Sequence, residues 1–160
     1  MNRDLDSLDL RLLNLIQQDN LRTADSLAQE VPLSPSAITR RLRQLRQSGL
    51  VARDSALLSP TAFARLRAIV RVQIEKHASD GGLTALRERL FQNSHVQSCF
   101  EVTGSFDMLL IVSARDMTEF NDFTDEHIAR DPVVRRYETE FVRRELKDAP
   151  VYSLDERDLG

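Results

Sequence analysis

Apolar residues recur along this chain with two different periods, and the change from one to the other divides it. Over the first fifty residues the spacing is helical. Leu5, Leu8, Leu12, Leu15 and Ile16 fall three and four residues apart and predict a helix from about Ser7 to Gln18, capped by Asp6 or Ser7. Asp19, Asn20 and Leu21 break it. Thr23 to Glu30, TADSLAQE, opens on a capping threonine and carries Leu27 and Ala28 inward, which predicts a second short helix. After Val31, Pro32 and Leu33 comes SPSAITRRLRQLRQSG, Ser34 to Gly49. Serine before proline reads as a helix start and glycine as its stop. Ile38, Leu42 and Leu45 make the apolar face of this third helix; Ser36, Thr39, Arg40, Arg43 and Gln47 make the opposite one.

Leu50 to Leu58 mixes apolar and polar residues and reads as a strand-like connector with a boundary near Pro60. Thr61 to Leu66 is expected to form one helical turn. From Ala68 the period is two. Val70, Val72 and Ile74 alternate with Arg71, Gln73 and Glu75 as a half-buried strand, and Asp80, Gly81 and Gly82 are expected to turn the chain. Leu83, Leu86, Leu90 and Phe91 predict an amphipathic helix ending near Asn93. A strand from Val96 to Val102, the tight turn Gly104–Asp107 and an apolar strand from Met108 to Ser113 then predict an antiparallel hairpin. A helix from Thr118 to about Ala129 and a last strand from Val134 to Leu146 complete the order. On that strand Tyr137, Thr139 and Phe141 share one face and Glu138, Glu140 and Val142 the other.

The fold class is therefore α+β: an N-terminal three-helix head, an extended connector and a ferredoxin-like βαββαβ body. The expected domains are residues 1–50, a connector over 51–66, the body over 67–147 and a polar, loosely held tail over 148–160. A four-stranded sheet with both helices on one face leaves the other face open, which implies dimerisation through the sheets.

Composition narrows the function classes. With 41% apolar and 29% charged residues the chain reads as globular rather than disordered. No stretch approaches the roughly 20 apolar residues of a spanning helix, and the acidic start MNRDLDSLDL lacks a signal core, so a cytoplasmic, membrane-free protein is expected. Cys99 is the single cysteine and reads as a small packed strand residue. His77, His95 and His127 are scattered, so neither a metal nor a cofactor is expected.

Charge is the informative quantity. Residues 1–58 hold eight arginines against seven acidic residues, whereas residues 59–160 hold fourteen basic against eighteen acidic ones. Within the head, Ser34 to Arg53 carries five arginines and no acid, in a chain of net charge -3. A cationic patch on an acidic protein points to a localised polyanion contact. Two short helices joined by a three-residue turn, the second basic on its outer face, describe a helix-turn-helix whose second helix enters the major groove. Ser36, Ala37, Thr39 and Arg40 then lie nearest base edges, with Ser34 at the helix start. Arg41, Arg43 and Arg46 are assigned to phosphates.

LDSLDLRLLNLIQQD at Leu5–Asp19, SPSAITRRLRQLRQSGLV at Ser34–Val51 and VTGSFDMLL at Val102–Leu110, in this order and over roughly residues 4–147, resemble the Lrp/AsnC family of transcription regulators. The resemblance implies a sequence-specific DNA-binding regulator of promoter DNA, not an enzyme. It further implies a homodimer assembled to tetramers or octamers and a small effector, typically an amino acid, held between regulatory domains. The implied effector set is Thr103, Gly104, Ser105, Phe106 and Asp107 from the turn with Thr139, Glu140 and Val142 from the last strand. Asp107 is open to two readings, a partner for an ammonium or a turn residue bonding backbone. The turn reads Gly104, Ser105, Phe106, Asp107 where the family usually has Gly-Asp-Tyr-Asp, so one carboxylate and one hydroxyl are missing. Glu140 stands where an apolar or aromatic residue is more usual. Two alternatives share the architecture: an effector-independent architectural DNA-binding protein, and an enzyme resembling the siroheme decarboxylases. The enzyme needs polar proton donors around a large pocket, and no His, Tyr and Arg cluster accompanies the turn.

Overall fold

The computed structural model describes residues 5–56, 58, 62–148 and 151–159. The chain forms two compact units, Met1–Leu57 with Lys147–Gly160, and Leu58–Leu146.

The first unit contains α1 (Ser7–Gln18), α2 (Ala24–Leu27) and α3 (Pro35–Gln47). Asp6 caps α1 in a reciprocal box: its side chain accepts from the Asp9 N–H at 2.8 Å, and the Asp9 side chain accepts from the Asp6 N–H. Thr23 caps α2, which is shorter than TADSLAQE suggested because residues 28–30 tighten into turns. Ser34 caps α3, Pro35 follows it, and the helix ends before Gly49, whose φ is +82°. Most of the periodic residues meet, joined by Leu13 and Val31, while Leu5, Leu8, Leu15 and Ala28 pack at the edge, partly buried. Leu12, Leu13, Ile16, Leu27, Val31, Ile38, Leu42 and Leu45 form one buried cluster.

Beyond Val51 the expected strand does not form: the described residues 52–56 and 58 belong to no ladder. The expected helical turn at 61–66 is also absent over residues 62–65, and Thr61 lies outside the described residues. The tail is not a loose end either. Leu154 packs against the three-helix cluster, and Glu156–Asp158 form a 3-10 turn capped by Asp155.

The second unit is a four-stranded antiparallel sheet in the order β2-β3-β1-β4, made of β1 (Leu66–Ile74), β2 (Val96–Glu101), β3 (Met108–Ala114) and β4 (Val134–Phe141). Its helices are α4 (Asp80–Gln92) and α5 (Met117–Thr124), the latter continuing as a π-helical stretch over Asp125–Ala129. The succession is the ferredoxin-like one. Ala68, Val70, Val72, Met108, Leu110 and Val112 meet Leu86, Leu90, Phe120, Phe123 and Ile128 in the core. The other face presents Ile69, Arg71, Leu109, Ile111 and, opposite Leu109, the exposed Phe100.

Four expectations need correction here. Asp80, Gly81 and Gly82 are not a turn but the first turn of α4, with Ser79 as cap accepting from the Gly82 N–H. Gly82 is there because of a neighbour: a Cβ at this position would lie 2.7 Å from Val133 Cγ1. Phe91 points out of α4 and is exposed, as is Cys99 on the edge strand β2. β4 stops at Phe141, short of Leu146: its last rung pairs Ala68 with Phe141, and the Val142 N–H donates to the Arg67 carbonyl just beyond it.

No helix among the described residues is long and apolar enough to cross a membrane.

Candidate nucleic-acid interface and effector site

Helix α3 turns a fully buried aliphatic stripe towards α1 and α2, and this fixes which residues face out. Ser36, Thr39, Arg40 and Arg43 are exposed, with Ala37 half-buried between them. Ser34 Oγ accepts from the Ala37 N–H and lies 3.1 Å from Ser36 Oγ, so the first turn is held by short hydroxyls. Thr39 Oγ1 donates to the Pro35 carbonyl at 2.9 Å, leaving its lone pairs outward. Neither Arg40 nor Arg43 has a hydrogen bond or ion pair among the described residues. Two cations one turn apart, beyond a patch of small side chains, form a surface that a groove with its flanking phosphates complements.

The other two arginines of the set are placed differently. Arg41 turns inward. Its Nη1 donates to Asp6 Oδ2 at 2.7 Å and to Asp9 Oδ1 at 2.8 Å, and Asp9 is fully buried. These carboxylates, Asp9 before Asp6, hold the guanidinium above its ordinary range. Burial pushes the Asp6 carboxyl up, but the Asp9 N–H and then Arg41 outweigh it, so it lies below the usual carboxylate range. Arg41 therefore locks α3 onto the start of α1 instead of standing free for phosphate. The sequence did hold a signal: Arg41 is three residues past Ile38 and one before Leu42, on the apolar stripe. Arg46 is partly committed, with Nη2 donating to Asn20 Oδ1 and Nε to Asp54 Oδ2 at 3.2 Å.

In the second unit the turn residues divide. Thr103, Gly104 and Ser105 are exposed, and Gly104 has φ +136°, a conformation L side chains rarely adopt. Phe106 is buried. Its ring lies between Arg71 and Arg136, whose guanidinium carbons are 5.0 and 5.1 Å from the centroid. Asp107 bonds backbone: its Oδ2 accepts from the Ile74 N–H at 2.8 Å and its own N–H donates to the Val72 carbonyl. Asp107 Oδ1 has no partner among the described residues. Asp107 also lines a cavity of about 510 Å³ with Glu75, Lys76, Arg87, Glu101 and Arg135.

The last-strand residues do not join this turn as one pocket. Thr139 stands opposite Val70 and Phe141 opposite Ala68, whereas Asp107 bonds Val72 and Ile74. That offset of about four strand residues is ~13 Å. Thr139 faces the helices, with Oγ1 buried and unpartnered among the described residues. Glu140 and Val142 line a separate hollow with Ile69, Phe141 and Leu146. Glu140 alone reaches towards the turn, through Arg71, which binds it at 2.9 Å and lies over Phe106. Arg71 and Arg136 were not anticipated as part of this region; their alternation on β1 and β4 put them on the open face, but only the fold of the turn brings Phe106 between them. Among the described residues no group of three or more His, Cys, Asp or Glu could hold a metal ion.

A family model described as the Lrp/AsnC ligand binding domain matches residues 67–152, and one described as a winged helix-turn-helix DNA-binding domain matches residues 5–52. An HTH-type transcriptional regulator of Sinorhizobium fredii is 34% identical over 145 residues, which cover 90% of this chain and 85% of that one. The leucine-responsive regulatory protein of Rhizobium meliloti is 32% identical over 147 residues, 91% of this chain and 94% of that one. Among solved structures, the L-methionine complex of a transcriptional regulator from Neisseria meningitidis superposes with a TM-score of 0.84 at 33% identity, over 91% of this chain and 94% of that one.

Proposed function

The chain belongs to the Lrp/AsnC family of transcription regulators, and from that premise we propose that it reads promoter DNA through α3 as a homodimer or an assembly of dimers and answers to an amino acid. The observation that carries the DNA reading is the unpartnered pair Arg40 and Arg43 on a helix whose opposite face is buried. Ser36, Ala37, Thr39 and Arg40 read base edges, Arg43 contacts phosphate, and Arg46 joins it where Asp54 releases it. Dimerisation covers the open sheet face bearing Ile69, Leu109, Ile111 and Phe100. Because Gly104–Asp107 and Thr139–Val142 are offset by about four residues, ~13 Å, along β1 in one chain, an effector touching both does so between two chains. Asp107 Oδ1 is the group offered to its ammonium. Such a protein works in the cytoplasm, where its DNA is.

The test is binding to a duplex selected by the protein from a random library. The selected duplex should bind at least about a thousandfold more tightly than its scrambled version, and Arg40→Ala should shrink that ratio. Equal binding to both would favour an architectural role. A thermal-shift screen of the twenty amino acids, L-methionine first in view of the Neisseria relative, should raise the unfolding midpoint for at least one of them. A flat screen would favour an effector-independent regulator.

A further inference from the structure

The end of the chain is gripped by the first helix in a manner that the tail's own sequence does not announce. Two carboxamides one turn apart on α1 each hold one residue of the tail. The Tyr152 N–H donates to Gln17 Oε1 at 2.8 Å and its carbonyl accepts from Gln17 Nε2 at 3.2 Å. Two residues on, the Leu154 N–H donates to Asn14 Oδ1 at 3.0 Å and its carbonyl accepts from Asn14 Nδ2 at 2.8 Å. A primary amide carries an acceptor oxygen beside an NH₂ donor, so it offers a peptide residue the same pair of bonds that a neighbouring strand offers. Helix α1 thus binds residues 152 and 154 as a strand edge would, and the alternation matches an extended chain. Leu154 adds a side chain to the three-helix cluster, and the Asp155 cap ends the segment on a 3-10 turn.

Helix α1 is also the element whose Asp6 and Asp9 fix Arg41 of α3. The two units are joined covalently twice, between residues 57 and 58 and between residues 146 and 147. A head tethered at two points has a narrower range of orientations open to it than a head tethered at one. We propose that residues 151–159 are a strap that restricts the orientation of the DNA-binding head, so that the two heads of a dimer read half-sites at one spacing. The strap rests on the reading of the chain as a dimeric DNA-binding protein, and it adds to that reading a determinant of spacing outside the DNA-contacting helix.

The test compares the native full-length protein with the double variant Asn14→Ala/Gln17→Ala and with a chain stopped after Asp148. The probe is the duplex selected by the native protein, and the same duplex with half a helical turn inserted between its half-sites. The native protein should lose about tenfold or more in affinity on the insertion, because simultaneous engagement is lost. The strap variants should lose less than about threefold and bind the original duplex nearly as well as the native protein. Variants with the full native penalty, or a native protein with none, would overturn the strap. Thermal unfolding confirms that each variant is folded; if the truncated chain is not, the double variant decides. Should the native protein select no sequence at all, the DNA reading fails and the strap is judged by hydrogen exchange. The Tyr152 and Leu154 amides should be protected in the native protein and exchange faster in Asn14→Ala/Gln17→Ala. Fast exchange already in the native protein would overturn it independently.

Discussion

Helix α3 and the open face of the sheet are both rich in arginine, yet they offer opposite things to a partner. On α3, Arg40 and Arg43 project from a stretch with no acidic residue and find no counter-charge among the described residues. On the sheet, Arg71 is held by Glu138 at 3.3 Å and Glu140 at 2.9 Å, Arg136 by Glu138 and Gln73, and both clasp Phe106. A cation is available to a polyanion only where its own neighbourhood supplies no carboxylate, so the count of arginines in a region says less than their company. Arg41 is the boundary case: it sits on α3 but has the acidic company of the sheet arginines, and it serves structure.

Substitutions can break or sharpen this contrast. Arg41→Ala removes a charged donor from the fully buried Asp9 carboxylate and from Asp6, and should cost about 2 kcal/mol in urea unfolding of the full chain. A cost near zero would show that the bonds from Arg41 to α1 do not hold the helices together. Arg71→Ala takes the partner from Glu140, leaves Glu138 with Arg136 alone and removes one of the two guanidinium groups over Phe106, for about 1 kcal/mol, with the salt dependence of DNA binding unchanged. Arg43→Ala should reverse that pattern: stability within about 0.5 kcal/mol of native, but weaker binding to specific and random DNA alike and a salt slope smaller by about one. If Arg43→Ala destabilised the protein as Arg41→Ala does, the division of the helix into free and committed cations would fall.

The smallest effect is one of pH. The Asp6 carboxyl titrates below its ordinary 3.8 in the folded chain, so its contribution is complete above the unfolded value and fades as pH falls through the lowered folded one. Asp6→Asn should therefore flatten the decline of the unfolding midpoint between about pH 5 and pH 3 while leaving its value near pH 7 only slightly lower. An unchanged acid limb would detach Asp6 from that titration.

The elements were largely legible in the sequence because periodicity and capping residues act locally. Asp6, Thr23 and Ser34 start helices by bonding N–H groups of the first turn, and Val70, Val72 and Ile74 alternate whatever lies beside them. What escaped depends on neighbours distant in sequence. The end of β4 lies in its pairing with β1, whose last rung is Ala68 with Phe141, and the place of Gly82 is set by Val133. The tail looked loose because its anchors, Asn14 and Gln17, sit 140 and 135 residues away. The free Arg40 and Arg43 stand one and two positions from the bound Arg41 and are chemically identical to it; contact with the buried Asp9 is what separates them. Of the effector set, the turn's conformation was readable from Gly104, but the separation of Asp107 from Thr139 is a matter of strand register.

The adjacent glycines at the start of α4 make an internal standard for mutational tolerance. Gly81 has open space where a Cβ would go and no left-handed φ, so Gly81→Ala should be tolerated and can gain about 0.4–1 kcal/mol by stiffening the unfolded chain. At Gly82 every replacement brings a Cβ against Val133 Cγ1. In a saturation scan the first position should accept many residues and the second almost none, although a profile of local helix propensity treats the two alike.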